Sequence, residues 1–450
     1  MRAHTAAGDR RRPGRRSRAE SAAGIPAGTR LVGAGLAILG VSSYGYLAFA
    51  ARSLDQAQFA ELSVVWTILF TLGPGAFLPL EQEIGRRVAV VTEQRIAAVI
   101  LRRAAGLGAV LAVVITVLTV MAGPVISDRL LNGDAALFIA MLCANAILAL
   151  VHASRGFLAG TGRFGRYGGQ LAIDGAVRMA GAGFLLLAAV HEPSAFGWVL
   201  VGSQLIAVSA TLWRTHPPLD PGEKAMDLDP HMSTLARSMG WMLCGTIAAQ
   251  VLANAGPIVV KTLAAPTDAA AGQFLTALVL ARVPLFLFAA VQASLLPGLA
   301  KLIGLGERRA VFPAIRRLLL LLAAIGGLVT VLLLLAGPSI TAVLFGPDYR
   351  STRAPLVLLS AGCTVYMLGG AIAQALLALH RPKSVALGWW LGVAGFFAAL
   401  IIGGGLATRV SAALLVGSVV SGCWFAWSLK RHLASAEPRH VADPGEVASL

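Results

Sequence analysis

The chain is organised as twelve apolar runs of about twenty residues. They lie at about 31–51, 60–80, 104–124, 135–157, 172–190 and 195–213, then at 236–260, 270–296, 315–336, 354–379, 384–404 and 410–428. Roughly twenty apolar residues is the length of helix that crosses a hydrocarbon layer. In that layer each backbone polar group must find its partner within the protein, so runs of this kind fold as helices. Composition removes the soluble alternative: 57% of residues are hydrophobic and 13% charged, where a soluble domain carries roughly a quarter charged. The 50 glycines suit helices packed closely in a membrane. The fold class is therefore all-α: a polytopic membrane protein with twelve transmembrane helices.

Charge tests that assignment. With the N-terminus cytoplasmic and the runs alternating, 30 of the 37 Lys and Arg fall in cytoplasmic segments, six fall in external ones, and Arg282 alone lies in mid-span. A bias sustained through every turn is the positive-inside pattern. It places both termini in the cytoplasm and the protein in the cytoplasmic membrane. The net charge of +16 is thereby explained without nucleic acid as a partner; membrane lipids are the partner it implies. Residues 1–29 form a basic cytoplasmic tail, rich in Arg, Gly and Ala, whose composition reads as disordered and as an anchor against anionic headgroups. No cleavable signal peptide is expected, since the first 30 residues carry eight Arg and no apolar core.

Six runs on each side of a polar stretch divide the chain into a lobe at 30–213, a cytoplasmic linker at 214–234, a second lobe at 235–430 and a cytoplasmic tail at 431–450. The linker holds four Pro and four acids. Because six is even, both halves begin on the cytoplasmic side, as parallel repeats do. Traces of duplication agree. The first span ends Ala51-Arg52-Ser53-Leu54 and the seventh Val260-Lys261-Thr262-Leu263; the fourth and tenth exit through Gly162-Arg163 and His380-Arg381.

Enzymatic signatures are missing: the chain has no GxxxxGK[ST], HExxH or GxSxG, and its longest external connection, about 337–353, is short for sugar chemistry. No catalysis and no cofactor are expected. Cys143, Cys244, Cys363 and Cys423 are isolated in apolar stretches and read as buried structural thiols, with no metal site.

Ionisable groups at membrane depth mark a pathway by default. Arg282 stands 14 residues after Asp268 and 19 before Lys301, about 21 and 28 Å along a helix, too far to reach either surface easily. An unpaired cation there costs at least ~2.5 kcal/mol, and Pro284 bends the helix two residues later; a cavity lining is favoured, with simple packing on neighbouring carbonyls the alternative. Arg52 and Lys261, at matching external ends, are candidates for a shared opening or for interfacial anchors. Arg155 and Arg178 flank the turn between the fourth and fifth spans, as cavity cations or as positive-inside anchors. Among acids, Asp174 has Arg178 at i+4, an ion-pair spacing, with H⁺ or Na⁺ binding the sharper alternative; Glu61 opens the second span. His152 reads as a packed polar residue rather than a proton relay. Deep cations and peripheral carboxylates suit a large anion such as pyrophosphate, which the forked donors of Arg fit. A membrane potential that is negative inside favours moving that charge outward.

Three stretches resemble the polysaccharide-transport (O-antigen flippase-like) branch of the multidrug/oligosaccharidyl-lipid/polysaccharide exporter superfamily. They are AARSLDQAQFAELSVVW, AGQFLTALVLARVPLFLFAAVQASLLPGLAKL with Arg282, Pro284 and Pro297, and LFGPDYRSTRAPLVLLSAG with Gly346 and Tyr349. The resemblance covers about 30–430. It implies two six-helix lobes around a central cavity open alternately to each side, polyprenyl-pyrophosphate-linked oligosaccharide as cargo, Arg282 on the pyrophosphate, and glycan-assembly enzymes as possible partners. Pro74, Pro284, Pro297 and the linker are the candidate hinges. The expected function is a flippase or exporter of a lipid-linked saccharide. Two alternatives stand beside it: an H⁺- or Na⁺-coupled small-molecule antiporter of the multidrug type using Asp174 or Glu61, and a non-transporting scaffold acting through the basic tail.

Overall fold

A computed structural model describes residues 27–89, 94–213, 232–264, 270–285, 308–379, 381–401 and 403–434. Twelve helices account for the described apolar runs: α1 Ala27–Ser53, α2 Gln56–Ala89, α3 Gln94–Met121, α4 Ala135–Gly160, α5 Phe164–Leu187, α6 Pro193–Leu212, α7 Met232–Leu263, α8 Ala270–Ala281, α9 Arg308–Phe345, α10 Arg353–Ala378, α11 Pro382–Ala399 and α12 Leu406–Ala434. No strand occurs among the described residues. Among the described residues ten helices are long and apolar enough to cross a membrane; α8 is described over 12 residues and α11 over 18.

Local chemistry starts and stops these helices. Asp55 caps α2 through the backbone N–H of Gln58, whose side chain returns to the Asp55 N–H, satisfying two orphan donors at once. Asp134 caps α4 through Leu137 N–H at 2.8 Å. Two expectations need correction. The 337–353 connection is mostly helical: α9 continues through Pro338 to Phe345, and only the turn around Gly346, at φ 115°, breaks it before α10. The second run also extends well beyond 80, so Glu81 lies inside α2 and is buried.

The packing repeats with a step of six helices. In the first half α1 lies on α5, α5 on α6, α3 on α4, and α4 on α6; in the second α7 lies on α11, α11 on α12, α9 on α10, and α10 on α12. Burial repeats likewise. The cores of α3 and α9 are 18% and 17% buried, the lipid-facing positions of each lobe, against 67% for α2. One close approach uses glycine. A Cβ on Gly35 of α1 would stand 2.2 Å from the Gly168 carbonyl oxygen of α5, so only bare backbone permits that contact.

The lobes meet through α2, which packs on α7 and α8, and through α1 on α9. At mid-depth the Tyr44 hydroxyl donates to the Val279 carbonyl at 2.8 Å, and the Thr246 hydroxyl to the Gly75 carbonyl at 2.7 Å. Gly75 belongs to a π-helical turn, Gly73–Phe77, inside α2. Pro74 lies in that turn and has no N–H to donate.

Candidate functional site between the lobes

A cavity of about 40 Å³ opens at mid-depth where the lobes meet, room for a water molecule or two. Ser43, Tyr44 and Leu47 of α1, Trp66 and Phe70 of α2, and Val279 with Arg282 line it. Trp66 stacks on Phe70 at 4.3 Å and on Tyr46 at 5.4 Å between ring centroids, so one wall is aromatic.

Arg282 follows α8 where the helix breaks. Its backbone N–H is shared between the Leu278 and Val279 carbonyls at 3.1 and 3.2 Å, and Pro284 sits two residues on. Its guanidinium donates to Asn254 Oδ1 at 2.8 Å and to the Ala253 carbonyl, both on α7, beside Cys363 and Tyr366 of α10. The cation is thus held by its own lobe and borders the cavity; the carbonyl-satisfied and cavity-lining alternatives are both present in one arrangement. Asn254 and Trp66 carried no signal in the sequence beyond being polar or aromatic within an apolar run.

The remaining cations do not converge on this cavity. Arg178 donates to Asp174 Oδ1 at 2.8 Å, and Arg155 reaches Asp174 Oδ2 at 3.6 Å. Ser203 of α6 donates to the same carboxylate at 2.8 Å. Asp174 therefore makes the i+4 ion pair its spacing suggests, and takes a second cation from α4. Arg178 also lies 5.6 Å from the centre of the Trp66 ring, which connects this buried cluster to the cavity wall. The Nε atoms of Arg155 and Arg178 are buried and make no hydrogen bond.

Beside that cluster is a pair the sequence reading passed over. His152 Nδ1 stands 2.7 Å from Glu81 Oε2, and the Tyr167 hydroxyl donates to Glu81 Oε1 at 2.6 Å. Glu81 and His152 are 71 residues apart; the available signal was an acid just past the end of one apolar run and an imidazole within another. His152 is buried and packed, as expected, and its Nδ1 also makes a hydrogen-bond contact with the Glu81 carboxylate.

Arg52 and Lys261 do not share an opening. Arg52 is exposed and donates to the last carbonyls of α9, Val343 at 2.5 Å and Leu344 at 3.3 Å, where the helix dipole is negative. Lys261 is buried, within electrostatic reach of Glu61, which accepts from Asn132 at 2.5 Å. With Phe59 edge-on to Tyr349 at 5.2 Å and Gln56 donating to the Asp348 carbonyl at 3.4 Å, these residues seal the lobes together at the Arg52 end. Pro297, the 214–231 part of the linker and the 1–26 tail lie outside the described residues. No group of three metal-ligating side chains occurs among the described residues.

No family model matches the chain. It is 30% identical over 413 residues to the uncharacterized protein Rv3630 of Mycobacterium tuberculosis (strain ATCC 25618 / H37Rv), covering 86% of this chain and 89% of the relative. The uncharacterized protein Rv1510 of the same strain is 30% identical over 411 residues, covering 86% and 88%. Among solved structures, a multidrug resistance MATE family transporter of the MOP superfamily matches in its outward-facing conformation with TM-score 0.65 at 11% identity, over 90% of this chain and 94% of that one. The inward-facing conformation of such a transporter gives 0.64 at 13%, over 92% and 97%. A MOP superfamily transporter from Pyrococcus furiosus Vc1 (DSM3638), described as having a binding pocket of reverse polarity, gives 0.66 at 12%, over 90% and 95%. The fold is that of the MATE transporters.

Proposed function

The chain belongs to the family of these uncharacterized mycobacterial proteins, and on that premise we propose that it is an alternating-access exporter of an anionic amphiphile, a lipid-linked saccharide carried on pyrophosphate. The observation that carries this is Arg282: a guanidinium held at mid-depth by Asn254 and Ala253, bordering a cavity between the lobes whose described lining contains no carboxylate. Such a wall attracts a phosphate oxygen and repels a cationic drug. The aromatic side formed by Trp66, Phe70 and Tyr44 suits apolar or sugar faces.

Support for movement comes from where the lobes touch. Hydrogen bonds between them lie at the Arg52 end and at two points at mid-depth. If the basic loops are cytoplasmic, that seal is external, and the cavity receives cargo from the cytoplasmic leaflet. The likeness to transporters solved in both outward- and inward-facing conformations supports the same cycle, and the Pyrococcus furiosus transporter supports a pocket of altered polarity on this scaffold. A second reading, cation-coupled drug antiport, is favoured by the buried acids of the first lobe, Asp174, Glu81 and Glu61, and by the multidrug transporters that share the fold.

The deciding experiment compares two cargoes in proteoliposomes: a fluorescent polyprenyl-pyrophosphate saccharide and a cationic dye. The expected outcome is flipping of the lipid-linked saccharide, with a loss of at least about tenfold in Arg282→Ala, as for removal of one charge-assisted bond of ~1.5–3 kcal/mol. Dye transport that survives Arg282→Ala and fails in Asp174→Asn would establish the antiporter instead.

A further inference from the structure

The buried Glu81–His152 pair stands against the π-helical turn of α2, on the opposite side from the neighbouring lobe. Phe77, the last residue of the turn, stacks on the His152 ring with centroids 6.1 Å apart and planes 17° apart. A Cβ on Gly73, the first residue of the turn, would lie 3.6 Å from His152 Nε2. Between them, Gly75 presents its carbonyl to the Thr246 hydroxyl of α7 at 2.7 Å and packs against Gln250. One face of a five-residue turn therefore touches an imidazole, and the other touches the second lobe. π-Helical turns recur at functional sites.

Charge makes the imidazole consequential. Asp174 and Glu81 carry two negative charges, and Arg155 and Arg178 two positive ones, so this buried set balances when His152 is neutral. A proton on His152 adds one unit of charge in a place that water does not reach, and the Glu81 carboxylate at 2.7 Å is the group that stabilises it. Tyr167 on α5 and Arg155 on α4 are the other titratable or charged groups about the pair. On α3, Arg102 and Arg103 are exposed; on α6 the contact to the cluster is the neutral Ser203. Imidazole is the side chain whose ordinary titration spans the range from about pH 5 to about pH 8.

We propose that Glu81 and His152 form a proton-binding site, and that its occupancy sets the hold of the π turn on α7 and so the contact between the lobes. The proposal rests on the alternating-access reading and names its coupling ion as H⁺, at a place other than Asp174 and Glu61. Asp174 is instead shared by two guanidinium groups and the Ser203 hydroxyl, a buried pairing that is costly to break. The protonated ring is a cation lying on the face of Phe77. It holds that residue and the turn behind it, so acid favours the lobe contact at Thr246 and loss of the proton releases it.

The test uses the whole protein in lipid nanodiscs with fluorophores at exposed Arg166 and Lys383, reading the distance between lobes by single-molecule energy transfer. Between roughly pH 8 and roughly pH 5.5, the ratio of contact to open states is expected to rise about thirtyfold, the equivalent of one desolvated cation–π contact. H152N and E81Q are expected to remove the response. Solid-state NMR of ¹⁵N-histidine should lose one titrating imidazole of the eight in H152N. F77L keeps the Glu81–His152 pair, so its imidazole should still titrate while the lobe distance no longer follows pH. A pH-independent lobe distance in the unmodified protein, or a response retained in H152N or F77L, overturns the proposal. Because this readout involves no cargo, failure of saccharide transport with the pH response intact would overturn the exporter reading and leave the proton site standing.

Discussion

The two lobes share one packing plan and have spent it differently. Arg163 and Arg381 are the N-caps of α5 and α11. Counting on from each, Asp174 corresponds to Gly392 and Arg178 to Phe396, and at the same spacing Ser203 of α6 corresponds to Ser421 of α12. In the first lobe the serine donates to a buried carboxylate that two arginines share. In the second the position facing the serine is bare: a Cβ on Gly392 would fall 1.9 Å from Ser421 Oγ. That serine donates to the Gly388 carbonyl instead, and Phe396, Trp389 and Phe425 fill the space. No acid occurs between Asp348 and Glu437 in the sequence. The same scaffold thus holds a charge cluster in one lobe and a close apolar seam in the other, where Arg282 is the cation at mid-depth. The contrast divides charge: the first lobe holds a cluster of paired buried charges, and the second places one guanidinium beside the cavity.

Making the lobes alike should do the most damage. Gly392→Asp puts a carboxylate into the α11–α12 seam with no cation opposite it, and the expected result is loss of monodisperse protein on size-exclusion chromatography. Emptying the first lobe's cluster comes next. Asp174→Ala leaves Arg155 and Arg178 buried without their shared partner, and breaking a buried pair costs about 3–5 kcal/mol. A clear fall in melting temperature by intrinsic fluorescence should follow, partly restored by also removing Arg178. The smallest effect is at the seal. Arg52→Ala removes two hydrogen bonds from an exposed side chain, each worth about 0.5–1.5 kcal/mol net. It should leave melting nearly unchanged while raising the rate at which a cysteine placed at Thr341, buried beside the seal, reacts with a water-soluble maleimide.

Much of the scaffold was legible because hydrophobic transfer is local: twenty apolar residues predict a spanning helix whatever surrounds them. Pro74 and Pro284 likewise marked real departures from regular helix, since a missing N–H acts on its own turn. Helix ends were less legible. α2 runs on to Ala89 and α9 to Phe345, because amphipathic turns at a surface are held by capping and packing as well as by hydropathy.

The candidate site divides along the same line. That Arg282 must be satisfied at mid-depth followed from its distance along the chain to either surface. That Asn254 and the Ala253 carbonyl satisfy it did not, because those atoms lie on another helix. The symmetry of Arg52 and Lys261 in the sequence misled: one caps α9 at the surface, and the other is buried near Glu61. His152 looked like inert packing until α2 brought Glu81 to it. The sequence by itself determined that this protein is a duplicated bundle of membrane helices with cations that hydrocarbon would reject. The tertiary structure alone decided which charges neutralise one another and which is left at the cavity, because pairing depends on distances of a few ångströms between helices that the chain order leaves free.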